Sequence, residues 1–220
     1  MAVEIIHLRK LLQLLYASPR DQQTLLRAEI RAEIAKENGV SGGGGDFYGP
    51  FWADARDHVF EINDLHLATD DRIARNNRRA RLYPILRDGF LKWWNEQRRW
   101  TNTPFESVRA PSGQLKFSEI LTIKVDGIIA VKDATGTSRY IYPYFSETPA
   151  LKNEGARISL WVFYRTFPGL DFNNFRILDV PRGRIYSPDR CYLEGDEAQI
   201  LKQKYDNLWQ MYVNLEEDYR

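Results

Sequence analysis

Leu121, Ile123 and Val125 alternate with Ile120, Thr122, Lys124 and Asp126, so residues 119–126 read as a strand with one buried face. Ile128-Ile129-Ala130-Val131 predicts a second strand, and residues 132–137, with Asp133 and Gly136, supply turn chemistry. Residues 139–145 form the expected return strand. Ser146, Thr148 and Pro149 then open a helix expected to reach about Phe167, where Pro168-Gly169 breaks the chain. Residues 175–180 and 184–186 predict two further strands around Pro181-Arg182-Gly183. A last helix is expected over 195–216, with Ile200, Leu201, Tyr205, Leu208, Trp209 and Tyr212 mostly on one face.

Upstream the period changes to helical. Val3, Ile6, Leu11, Leu14 and Leu15 predict a helix over 3–16. Ser18, with Pro19 at the first helical position and Asp21 three residues after the cap, predicts a second helix. Its stripe of Leu25, Leu26, Ile30 and Ile34 stops at Asn38-Gly39. Ser41 and Gly42 to Gly45 read as a flexible hinge; they lack the lysine and Ser/Thr of a phosphate-binding P-loop. The aromatic cluster Phe47, Tyr48, Phe51 and Trp52 marks re-entry into a core, with Trp52, Ala55, Val59 and Ile62 facing inward from a short helix. His58 among Asp54, Asp57 and Glu61 reads as a solvated charged face rather than a metal site.

Pattern and length give an α+β protein: a helical hairpin arm at 1–40, then an α+β domain over 46–220 with one mixed sheet of about five strands flanked by helices. With 43% hydrophobic and 28% charged residues, the chain has an ordinary globular composition and needs no covalent staple. Cys191 stands alone, which excludes an internal disulfide and fits a cytoplasmic protein. Three histidines and one cysteine make no structural zinc site. The absence of an apolar run near 20 residues argues against a membrane partner.

The net charge of +1 hides an asymmetry. Residues 72–99 hold nine Lys or Arg against two acids, whereas residues 189–220 hold eight acids against four bases. Arg72, Arg75, Arg78, Arg79 and Arg81 are therefore candidate nucleic-acid contacts, since guanidinium forks match phosphate geometry. The competing expectation is that these arginines pair with the acidic C-terminal segment or with a partner protein.

The order helix, three strands, helix, two strands, helix resembles the core of the PD-(D/E)xK nuclease superfamily, especially its RecB-like branch, over about residues 70–190. Val125-Asp126-Gly127-Ile128 is similar to that family's metal-binding aspartate site. The resemblance implies a restriction-endonuclease-like core and, in an active member, Mg²⁺ held by paired carboxylates with a lysine beside the attacking water. Tyr142-Pro143-Tyr144 stands where the acid-x-lysine motif belongs, and the helix lacks the family's glutamine and tyrosine. Glu147, Lys152 and Glu154 are the nearest substitutes, so the candidate catalytic set is Asp126, Glu147, Lys152 and Glu154, with Asp126 the candidate metal ligand.

Three functions follow as expectations. The first is a non-catalytic or degenerate nuclease-like module binding nucleic acid or a protein partner, with no cofactor. The second is a Mg²⁺-dependent nuclease with relocated active-site residues. The third is an accessory subunit that docks or self-associates through residues 3–38.

Overall fold

The structure, a computed structural model, describes residues 3–39 and 46–219; the expected hinge at 41–45 lies outside the described residues. In chain order the elements are β1 (Ile5–His7), α1 (Leu8–Tyr16), α2 (Pro19–Glu37), α3 (Gly49–Val59), α4 (Leu65–Arg75), α5 (Tyr83–Leu91), β2 (Glu106–Ser107), β3 (Gly113–Lys116) and β4 (Thr122–Val125). They continue as β5 (Ile129–Lys132), β6 (Ser138–Tyr144), α6 (Asn153–Thr166), β7 (Phe175–Asp179), β8 (Arg184–Tyr186) and α7 (Glu197–Glu217). The architecture is α+β, with seven α-helices and two mixed sheets among the described residues. No described helix is long and apolar enough to cross a membrane.

The larger sheet has the order β2-β5-β6-β7-β8. β5 and β6 form an antiparallel hairpin with Ile129 opposite Ile141. α6 carries the chain back so that β7 runs parallel to β6, with Tyr142 beside Ile177. Side chains alternate across this sheet. Tyr142, Tyr144, Phe175 and Ile177 enter a core shared with α1, α2, α6 and α7. Ile129, Val131, Ile141 and Leu178 enter a second core under α3, α4 and α5. Helices therefore cover both faces, which is why β5, β6 and β7 are buried along most of their length.

The expected single sheet is in fact two. β4 pairs not with β5 but with β1 (parallel) and β3 (antiparallel). The break falls at Asp126-Gly127. Gly127 adopts φ +70°, the left-handed region open to glycine, and its carbonyl accepts the Trp52 indole N–H at 2.7 Å. The chain leaves β4 there and re-enters the larger sheet at β5.

The expected first helix over 3–16 begins later, because residues 5–7 are recruited as β1 by the edge of β4. Nor does the hairpin stand off as an arm. Leu8, Leu11, Leu12, Leu26 and Ile30 are all buried within the core shared with α6 and α7, which leaves no exposed leucine stripe for docking. Ser18 caps α2 as its sequence predicts, accepting the Asp21 amide at 3.2 Å.

The helix expected to open at Ser146 starts at Asn153. The carbonyls it would have used accept side-chain donors instead: Ser146 Oγ on Thr148 at 2.7 Å, Tyr144 Oη on Pro149 at 2.8 Å and Tyr186 Oη on Leu151 at 2.5 Å. Asp64 caps α4 by accepting the amides of His66 and Leu67. Pro84 sits in the first turn of α5. Ile62, expected inward, is 71% exposed, because α3 ends three residues earlier.

Candidate functional site

Strand pairing brings together two residues far apart in sequence. β1 runs parallel to β4, with His7 opposite Lys124, so His7 stands beside Asp126 at the end of β4. His7 Nδ1 lies 3.1 Å from both carboxylate oxygens of Asp126. A carboxylate only accepts, so Nδ1 carries the proton and Nε2 is the acceptor of the neutral ring. Arg9 Nη1 reaches the same carboxylate at 3.5 Å. α1 starts directly after His7, and the amide of Arg9, in its first turn, donates to the buried Tyr142 hydroxyl at 2.9 Å. Burial holds that hydroxyl protonated, well above its ordinary range.

His7, Arg9, Lys10 and Gln13, from β1 and α1, line a cleft of about 320 Å³ together with Asp46, Tyr48, Phe145 and Ser146. Tyr48 and Phe145 stack with centroids 4.8 Å apart and planes within 3°. Burial, then the negative field of Glu147, raises the Tyr48 hydroxyl, so it remains a neutral donor. The cleft continues into a hollow of about 240 Å³ lined by Arg9, Tyr48, Trp52, Arg56 and Gly127. Lys10 pairs with Glu29 at 2.5 Å and Arg56 with Asp57 at 3.1 Å, both at solvent-accessible positions where an incoming anion can compete.

The candidate catalytic set does not converge. Asp126 belongs to His7 and Arg9. Glu147 is clamped by Arg81 at 3.1 and 2.6 Å. Glu154, in the first turn of α6, accepts the Tyr16 hydroxyl at 2.8 Å and meets Lys204 at 3.2 Å. Lys152 is exposed and precedes α6. Among the described residues no group of three or more His, Cys, Asp or Glu side chains is placed to hold a metal ion.

The arginine-rich segment is also largely committed, but not to the acidic tail. Arg72 grips buried Asp54 through Nε and Nη2, each at 2.9 Å, pinning α4 to α3. Arg79 donates to the Arg72 carbonyl and lies 5.2 Å over the Tyr83 ring. Arg75 pairs with Asp71 one turn earlier. Arg81 holds Glu147, as above. Arg78 is exposed. The acidic tail serves other partners: Glu194, Asp196 and Glu197 surround Arg157.

His7, Arg9, Tyr48 and Trp52 were not legible as site residues. His7 lies in a stretch with helical spacing, and its partner is 119 positions away. The only local signal was the aromatic density of residues 47–52. The chain matches no family model, no curated protein and no solved structure.

Proposed function

We propose that this chain is a nuclease-like α+β module that binds a single nucleic-acid strand without a metal-dependent catalytic centre, in the cleft between α1 and the start of α3. The observation that carries this reading is the pairing of cationic and aromatic side chains. Arg9, Lys10 and His7 line the same space of about 320 Å³ as the stacked rings of Tyr48 and Phe145, with Asp46 the one acid among its lining residues. Cations track a phosphate backbone while rings offer a stacking platform for bases. The β5–β6 hairpin, the α6 crossover and parallel β7 support a restriction-endonuclease-like core, with Asp126 at the end of the preceding strand. That carboxylate is used to orient His7 and Arg9 rather than to ligate Mg²⁺.

Fluorescence anisotropy with a labelled single strand tests the reading. Binding is expected at low salt, with affinity falling steeply as salt rises. Arg9→Ala combined with Lys10→Ala is expected to weaken it at least tenfold. No binding at low salt, or an unchanged double variant, contradicts the proposal.

The His7–Asp126 pair favours a second reading, metal-independent hydrolysis. In that reading the Nε2 of neutral His7 takes a proton from a hydroxyl or water next to a bound phosphate, and Asp126 steadies the ring. Cleavage of RNA in the presence of EDTA, lost in His7→Ala, supports it; intact RNA under the same conditions removes it.

A further inference from the structure

A second pocket shares no residue with the cleft. It is small, about 50 Å³, and Arg98, Arg99, Arg176 and Arg190 all line it. Asp189 is its one acid. Four cations around one carboxylate leave a surplus of positive charge among the lining residues.

Arg98 is the most unusual of the four. Its guanidinium sits 3.8 Å over the Trp94 ring, 4.5 Å from Phe105 and 5.1 Å from Trp100. Its Nε and Nη1 are buried and meet no hydrogen-bond acceptor among the described residues. The rings supply cation–π attraction but no counter-charge. Burial depresses its proton affinity, and burial does the same to Arg176. Arg176 is fixed by donating to the carbonyls of Asn173 and Phe175 at 2.5 and 2.7 Å. Arg190 lies 4.0 Å from Asp189, whose other partner is the Ser187 hydroxyl. Arg99 and Arg190 are exposed. The pocket thus joins two pre-positioned guanidiniums to two that can close on a ligand.

We propose that Arg98, Arg99, Arg176 and Arg190 form a receptor for a phosphomonoester, with Trp100 placed against the nucleoside that carries it. A carboxylate ligand brings a single charge. A phosphomonoester brings about −1.5 to −2 and three acceptor oxygens, which suits several guanidinium forks. Half-buried Trp100 lines the same pocket, and an indole ring can stack on a base. The inference is independent of the cleft.

Isothermal titration of the full chain at low salt tests it, with inorganic phosphate, AMP, and one DNA 12-mer carrying either a 5′-phosphate or a 5′-hydroxyl. AMP and the 5′-phosphorylated strand are expected to bind more tightly than inorganic phosphate, and the phosphorylated strand more tightly than its 5′-hydroxyl twin. Inorganic phosphate binding as well as AMP also supports the receptor but removes the nucleoside contact. Arg99→Ala with Arg190→Ala, both at exposed positions, should weaken binding at least tenfold. Asp189→Asn should tighten it a few-fold, a gain that a purely structural role does not give. Failure of both inorganic phosphate and AMP together with equal affinity for the two strands, or equal AMP affinity in the Arg99→Ala/Arg190→Ala variant, overturns the proposal.

Discussion

His7 Nδ1 stands 3.1 Å from the Asp126 carboxylate, across a parallel strand pair that joins the two ends of a 119-residue separation. The aspartate thereby neutralises part of the charge of the cleft wall. Replacing it by asparagine keeps the shape and removes the negative charge beside Arg9. Strand binding should tighten about threefold, a change of roughly 0.6 kcal/mol, in the range of a single exposed charge pair. EDTA should leave the affinity unchanged. Loss of binding with EDTA would mean that the carboxylate acts as a metal ligand after all.

Trp52 ties α3 to the turn that separates the two sheets, through its indole N–H on the Gly127 carbonyl at 2.7 Å. Trp52→Phe keeps a ring against Phe90 and Phe145 but deletes the donor. The expected loss is about 1 kcal/mol, with the Gly127 carbonyl left unpaired. Urea denaturation measures it. Unchanged stability together with unchanged strand binding would show that the turn holds without this bond.

Gly89 is the point of closest approach between α5 and the 3₁₀ turn Val180–Arg182. A β-carbon there would lie 2.0 Å from the Val180 carbonyl oxygen and 2.9 Å from the backbone of Pro181. Backbone cannot yield as a flexible side chain does. Gly89→Ala should therefore destabilise by about 3 kcal/mol. Gly169→Ala is the control, since nothing lies within 4 Å of its added carbon. Equal melting temperatures for the two variants would contradict the packing of α5 on this turn.

Acid should destabilise the fold. Hydrogen bonds from the Thr135 side chain hold Asp133 below its ordinary range, and the Leu67 amide does the same for Asp64. Ser187 lowers Asp189. At Glu154 burial works the other way but is outweighed by Tyr16 and Lys204. A carboxylate lowered in the folded state stabilises fully above its unfolded value, near pH 4, and that contribution disappears as pH falls through the folded value. Asp179 opposes the trend: burial raises it despite Arg182. With four groups against one, unfolding free energy should fall as pH drops below about 4. A maximum near pH 3 in a denaturation series would contradict these assignments.

Local periodicity carried much of the fold. The alternation through Leu121, Ile123 and Val125, the Asp133–Gly136 turn and the stripe of the last helix all correspond to observed elements. Non-local pairing did not show in the sequence. β1 is three residues long and exists because β4 offers it an edge; β2 is two residues long and carries no period at all. The split of the sheet turns on one glycine conformation and one tryptophan bond, neither of which a hydropathy pattern encodes. The same holds for the cleft. Asp126 is conspicuous as a polar residue at a strand end, but its function depends on His7 and Arg9, which local spacing assigns to an ordinary amphipathic helix. Charge runs misled for a related reason: Arg72 and Arg81 look free in sequence, yet Asp54 and Glu147 meet them in space.

Photo-crosslinking tests the central claim most directly, using a 5′-hydroxyl single strand with halogenated pyrimidines and mass spectrometry of the labelled peptides. The cleft account predicts adducts within residues 46–56, at Tyr48 above all, and their loss when Arg9 and Lys10 are both alanine. Adducts confined to the segment bearing Arg75 and Arg78, with residues 46–56 unlabelled, would contradict it.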